Sequence, residues 1–163
     1  RPGQTITAKG YDDVEFLIST NPGESLKPLS QVASGGELSR IMLAIKTVLA
    51  GRDEIDTLIF DEIDTGISGR TAWKVAEQLS VLSGAHQVIC ITHLPQIAAM
   101  ADVHFVIEKS STDDMTITDI RNVADEESLA ELARLLGSDA LTEAALSNAK
   151  EMKEQANAFK ETR

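Results

Sequence analysis

What this sequence lacks narrows it before anything it contains. One cysteine, Cys90, cannot close a disulfide within the chain, and its setting in "QVICITH" marks a buried free thiol of a reducing compartment. No run of about 18 apolar residues occurs, which excludes a membrane-spanning helix. The opening "RPGQTITAKG" is polar and carries no secretory signal; it also has no methionine, as expected of a fragment or a processed piece. Basic residues are the minority, 15 Lys and Arg against 26 Asp and Glu for a net charge of -11, and they form no cluster. A grip on nucleic acid draws on concentrated positive charge, so such a grip would have to lie elsewhere in the protein. No lysine follows a glycine, so the phosphate loop G-x-x-x-x-G-K-[ST] is missing. There is no heptad run for a coiled coil, no internal repeat and no low-complexity tract.

What remains is 163 residues, 42% of them hydrophobic, which is about one domain or a large piece of one. "VEFLIST" (Val14 to Thr20) reads as a short β-branched strand, followed by turn chemistry in "NPGESLKP". A helix is predicted from about Ser34 to Ala50, with Leu38, Met42, Ile45 and Leu49 sharing one face, Ile41 and Val48 beside them, and Gly51 as its stop. "DTLIF" (Asp56 to Phe60) is an unalternated apolar run, suited to a parallel strand covered on both faces. A second helix follows over about Gly69 to Leu82, with Ala72, Val75, Ala76 and Leu79 inward. "QVICIT" (Gln87 to Thr92) is a second buried strand and "LPQIAAMA" a short helix. "VHFVIEKS" and "MTITDIRNV" alternate around "STDD" and read as a hairpin. The tail from about Asp125 is helical in two pieces split near Gly137, the last with an inward stripe of Leu141, Ala145, Met152, Ala156 and Phe159.

Strand, helix, strand, helix with apolar strands means an α/β sheet, and such sheets bind ligands beyond the carboxyl ends of their strands. Two places qualify. One strand ends in "FDEID", putting Asp61 and Glu62 at the rim, where one carboxylate suits Mg²⁺ and a second could polarise a water. The other ends in "THLPQ", putting His93 at the same rim; His86 and His104 lack the i, i+4 spacing that would make it part of a helical zinc pair. "SGGELSR" (Ser34 to Arg40) opens the first long helix, whose N-terminus offers unpaired N–H groups, two glycines for close approach and a serine hydroxyl to an anion. Each has a plain alternative: a solvated acid pair, a structural histidine, a simple serine cap.

Their order is more telling than any one of them. A Gly-rich helix start, an apolar strand ending in Asp-Glu and an apolar strand ending in His resemble the signature motif, Walker B strand and switch histidine of the ATP-binding-cassette (ABC) ATPases. "DTGIS" (Asp64 to Ser68) lies where their D-loop falls, with Ser68 at a position that is often Asp. Transporter-type cassettes usually carry Leu before the signature serine and Pro after the Asp-Glu pair; Ala33 and Ile63 stand there instead. "VASGGELSR", "FDEIDTGISG" and "ITHLPQIAAMAD", with "FLISTNPGE" and "ELARLLG" around them, resemble the RecN family of bacterial DNA-repair ATPases in the SMC-like branch, over about Val14 to Met152.

The resemblance implies that residues 1–163 form the C-terminal lobe of an ABC-type P-loop ATPase head, a mostly parallel sheet flanked by helices, with a hairpin and C-terminal helices. The Walker A lobe and coiled coil would lie in the N-terminal remainder. Two such heads would close on ATP and Mg²⁺ as a homodimer and reopen on hydrolysis. Ser34, Gly35, Gly36 and Glu37 would meet the nucleotide held by the partner head, and Arg40 would support that turn. Asp61 would help hold the metal, Glu62 would be the general base and His93 the γ-phosphate switch, while Asp64, Thr65, Gly66 and Ser68 would lie across the head–head interface. The partners implied are the N-terminal lobe, a second head and DNA, in the bacterial cytoplasm at the nucleoid, without a membrane; the chain alone is expected to be inactive. Two other classes are open. A transporter subunit predicts a phosphate loop in a compact lobe upstream, and a non-catalytic dimerisation module predicts that Glu62→Gln leaves turnover unchanged.

Overall fold

A strand–helix–strand unit forms the centre of the molecule. The computed structural model describes residues 2–8, 10–12, 14–19, 23–31, 34–50, 52, 54–112, 115–137 and 141–162. Strand β5 (Thr57–Phe60) and strand β6 (Gln87–Cys90) pair in parallel, Thr57 opposite Gln87 through Phe60 opposite Cys90, and helix α2 (Gly69–Leu82) connects them. Parallel pairing requires such a crossover. The helix places Ala72, Val75, Ala76 and Leu79 on one buried face, as the spacing predicts. The ladder runs one step past β6, since Ile91 N donates to Phe60 O at 3.0 Å.

Before this unit come two small antiparallel pairs. Strands β1 (Pro2–Thr7) and β2 (Gly10–Asp12) pair where the sequence reading placed no element, and β3 (Leu17–Ile18) pairs with β4 (Lys27–Pro28). The strand expected over Val14 to Thr20 shrinks to β3, because Val14, Phe16 and Leu17 have no core to face and stay exposed; Thr20 and Pro22 lie outside the described residues. Helix α1 (Gly35–Leu49) follows a single 3-10 turn. Its expected stop, Gly51, lies outside the described residues. After β6 come helix α3 (Pro95–Met100), the hairpin β7 (His104–Thr112) and β8 (Met115–Val123), and helices α4 (Asp125–Leu135) and α5 (Glu143–Glu161). Gly137, with φ of 87°, takes the left-handed conformation that separates α4 from α5. The parallel part of the fold is thus the β5–β6 pair, the other ladders among the described residues being antiparallel.

The core lies on one side. Leu58 and Phe60 of β5, Val75, Leu79 and Leu82 of α2, and Ile97 to Met100 of α3 pack with Leu132 and Ala133 of α4 and with Ala149, Met152 and Ala156 of α5. Leu141 does not join the α5 stripe: it precedes the helix and is exposed, and Ala149 takes its place. Lys153 of α5 donates to the carbonyls of Ala99 and Ala101 at 3.0 Å each, satisfying the end of α3.

Two expectations about the opposite side are overturned. The strand β5 is not covered on both faces: Leu58 and Phe60 are buried, while Ile59 is 68% exposed. Ile89 and Ile91 beside it are 45% and 50% exposed. Helix α1 buries Leu43, whereas Leu38, Met42, Leu49 and Val48 are exposed. Among the described residues the sheet has helices on one face only, so half of each pattern has nothing to pack on. No helix among the described residues is long and apolar enough to cross a membrane.

Candidate functional site

Every polar motif singled out in the sequence comes to the carboxyl ends of β5 and β6. Ser34 caps α1 with extended backbone, its Oγ accepting from Glu37 N–H at 3.1 Å. Leu38 N–H goes to the Ser34 carbonyl at 3.1 Å. The amides of Gly35 and Gly36 therefore stand at the helix N-terminus, where the helix dipole is positive.

The rest of "SGGELSR" locks this helix start onto the turn after β5. Ser39 Oγ donates to the Asp61 carbonyl at 3.0 Å. Arg40 Nη1 donates to the carbonyls of Ile63 and Thr65 at 3.0 and 2.9 Å. A Cβ on Gly36 would come within 2.8 Å of the Glu62 carbonyl and 3.0 Å of Thr65 Cβ, so only glycine lets the two segments touch here. A Cβ on Gly35 would come within 2.6 Å of Glu62 Oε2, so the Glu62 carboxylate lies directly against the helix start.

Glu62 adopts φ of 57°, a left-handed conformation that non-glycine residues seldom take. Such a residue costs on the order of 1–3 kcal/mol and persists because its surroundings over-determine it. Here the Glu62 N–H donates to Asp61 Oδ1 at 2.9 Å and the Glu62 carbonyl accepts from Thr65 N–H at 3.0 Å. Ile63, fully buried, anchors the turn from below. Asp61 and Glu62 are both exposed at the rim. Among the described residues no group of three His, Cys, Asp or Glu side chains forms a metal cage. A single exposed carboxylate fits the way Mg²⁺ is held, by one or two carboxylates with waters and phosphates completing the shell.

Asp64 departs from its neighbours. Thr65, Gly66 and Ser68 are exposed, but Asp64 is 3% exposed and turned inward. Its Oδ2 accepts from Thr92 Oγ1 at 2.6 Å and from His93 N–H at 2.9 Å, and it lies 3.0 Å from His93 Nδ1. Thr92 Oγ1 in turn accepts from Leu94 N–H at 3.0 Å. The ends of β5 and β6 are thereby tied together through one carboxylate. Burial, then the nearby Asp64 and Asp61 charges, push the half-buried Cys90 thiol up to about 12, so it is an inert thiol. The other histidines are structural: His86 Nδ1 bonds the Ile55 carbonyl at 2.6 Å, and His104 Nδ1 bonds Ser128 Oγ at 3.0 Å. The sequence reading missed Ser39 and Thr92; Thr92 is signalled only by a hydroxyl at the end of the apolar "QVICIT", and Ser39 by nothing beyond its place inside "SGGELSR".

Comparison with known proteins bears on this geometry. No family model matches the chain. The DNA repair protein RecN of Bacillus subtilis is 48% identical over 157 residues, covering 96% of this chain and 27% of that protein. RecN of Halalkalibacterium halodurans is 49% identical over 93% of this chain. Over the stretch it spans, the chain belongs to the RecN family. RecN of Treponema pallidum is 54% identical over 88% of this chain. The chain spans about a quarter of the length of these RecN relatives, 27%, 27% and 25%. A solved chain from work on ATP-driven dimerization and DNA-stimulated activation of SMC ATPases superposes with a TM-score of 0.48 at 22% identity, over 76% of this chain and 81% of that one. The RecN match leaves the transporter alternative unfavoured.

Proposed function

We propose that this chain is the C-terminal half of the ATPase head of a RecN-type DNA double-strand-break repair and recombination protein. The observation that carries the reading is the packing of "SGGELSR" onto the Asp61–Thr65 turn, because it joins a helix N-terminus built for an anion to a rim carboxylate pair. In this reading Ser34, Gly35 and Gly36, with Glu37 in the first turn, meet the γ-phosphate of ATP held by a second head in a homodimer. Asp61 would hold Mg²⁺, which supplies neutralisation of phosphate charge. Glu62 orients the attacking water and takes its proton, and His93 approaches the γ-phosphate from the end of β6. Thr65, Gly66 and Ser68 face the partner head.

The apolar face formed by Ile59, Ile89, Ile91, Leu38 and Met42 supports a second lobe packed on the sheet. The N-terminal remainder, with the phosphate loop this sequence lacks, is the occupant proposed. The full protein would act in the bacterial cytoplasm at the nucleoid, with DNA as its partner. ATP hydrolysis should then be absent from this chain alone and from the N-terminal lobe alone. It should appear on mixing the two and vanish with Glu62→Gln, which traps ATP-bound dimers. Hydrolysis by the isolated chain, or turnover unchanged by Glu62→Gln, would reject the reading.

A further inference from the structure

The position of Asp64 does not fit a residue that acts on a partner surface. It is buried, and a single carboxylate oxygen, Oδ2, meets three donors from the loop after β6: the Thr92 hydroxyl at 2.6 Å, the His93 amide at 2.9 Å and His93 Nδ1 at 3.0 Å. The His93 side chain is otherwise 72% exposed. A carboxylate accepts and never donates when ionised, so the nitrogen facing it must be the one that carries hydrogen. The hydrogen bond at one ring nitrogen decides what the other can do.

We infer that Asp64 is a positioning residue for His93: it receives the ring's Nδ1–H, fixes that tautomer and rotamer, and turns Nε2 outward as the atom available to the reaction. The inference rests on the nucleotide-facing role proposed for His93. It deepens that role by naming the nitrogen that works and the residue that selects it. A neutral ring so held presents a lone pair at Nε2, suited to accept from a water. It donates to a phosphate oxygen only once that nitrogen is also protonated. The amide and hydroxyl bonds place the loop, and the Nδ1 bond places the ring. Because Asp64 is three residues past Asp61 on the same turn, the orientation of His93 is built into the Walker B segment and not into its own strand.

The test separates ring from loop. Ring nitrogen NMR shifts on the histidine-labelled 163-residue chain, at a pH where imidazole is neutral, report the tautomer without nucleotide. His93 should show hydrogen on Nδ1 and a bare Nε2. Asp64→Asn, which keeps the size but replaces the charged acceptor, should move the ring toward the other tautomer. Thr92→Val, which removes the hydroxyl's bonds to Asp64 and from Leu94 N–H but leaves the carboxylate facing Nδ1, should lower stability and leave the tautomer unchanged. In the full-length protein Asp64→Asn should lower kcat for ATP by about 10–100-fold with KM little changed, by analogy with the loss of a carboxylate that orients a metal-bound histidine. A wild-type His93 protonated on Nε2, or a tautomer indifferent to Asp64→Asn, overturns the inference whatever the activity. His93→Ala that hydrolyses ATP at the wild-type rate overturns instead the nucleotide-facing role of His93.

Discussion

Gly35 and Gly36 are neighbours with different tasks. At Gly36 an added methyl meets backbone, the Glu62 carbonyl at 2.8 Å, so one of two packed segments must shift. Gly36→Ala should cost about 1–3 kcal/mol, the usual range for overpacking. At Gly35 the methyl meets Glu62 Oε2, the free end of a flexible side chain, which can swing aside. Gly35→Ala should therefore change stability by less than about 0.5 kcal/mol while displacing the proposed base. Urea unfolding of both variants checks this, and equal losses would refute it. Arg40→Met removes the donor of two bonds to the Ile63 and Thr65 carbonyls and should cost about 1–3 kcal/mol in the same assay. At this scale the sequence was readable where a residue type has one job. Serine before Gly-Gly and a helical pattern is a cap, and Ser34 is one. The left-handed Glu62 was not readable, since glycine or asparagine is the usual sign of that conformation. The bonds to Asp61 Oδ1 and from Thr65 N–H, with Ile63 buried beneath, hold a glutamate there.

An apolar residue is not thereby an interior one, and the elements β5 and α1 separate the two. Leu58→Ala should cost about 2–5 kcal/mol, because Leu58 sits in the core under α2. Ile59→Ser, one residue on, should stay within about 0.5 kcal/mol in the isolated chain yet abolish association with the N-terminal lobe. Chemical unfolding and a pull-down with that lobe measure the two effects. The helices were placed well from sequence, α2 with its inner face intact, since a 3.6-residue pattern declares itself locally. The outer faces of β5 and β6 are exposed where burial is expected, because an apolar run says that a face is apolar, not what lies against it. A second element effect concerns β7 against α4. Burial, the largest cause, lowers the His104 pKa below 6.5, with Glu131 opposing and Lys153 adding to the shift. The unfolded chain then binds the proton more readily, so this contribution to stability is complete above pH 6.5 and is lost as pH falls through the lowered value. The drop in urea midpoint between pH 7.5 and pH 5 should shrink in His104→Asn; an undiminished drop would assign the acid sensitivity elsewhere.

For the whole molecule, charge decides what this piece can grip. With 26 acids against 15 bases its field is negative, and three of its five described arginines are committed inside the fold or to carboxylates, Arg40 to the turn after β5, Arg121 to Glu108 and Glu127, Arg134 to Glu131, while Arg52 and Arg70 are exposed. Non-specific affinity for duplex DNA arises from counterions released by several lysines or arginines together, and amounts to a Kd of about 10⁻⁴–10⁻⁶ M for proteins that possess such a surface. No such cluster stands in this sequence. The isolated chain should therefore bind a labelled duplex more weakly than about 10⁻⁴ M even at about 50 mM salt, with no affinity to be lost as salt is raised. Fluorescence anisotropy of the duplex against increasing protein decides it. Saturable micromolar binding that weakens steeply with salt would mean that this lobe carries a basic surface formed only by folding, and the DNA contact proposed for the rest of the protein would have to be moved here.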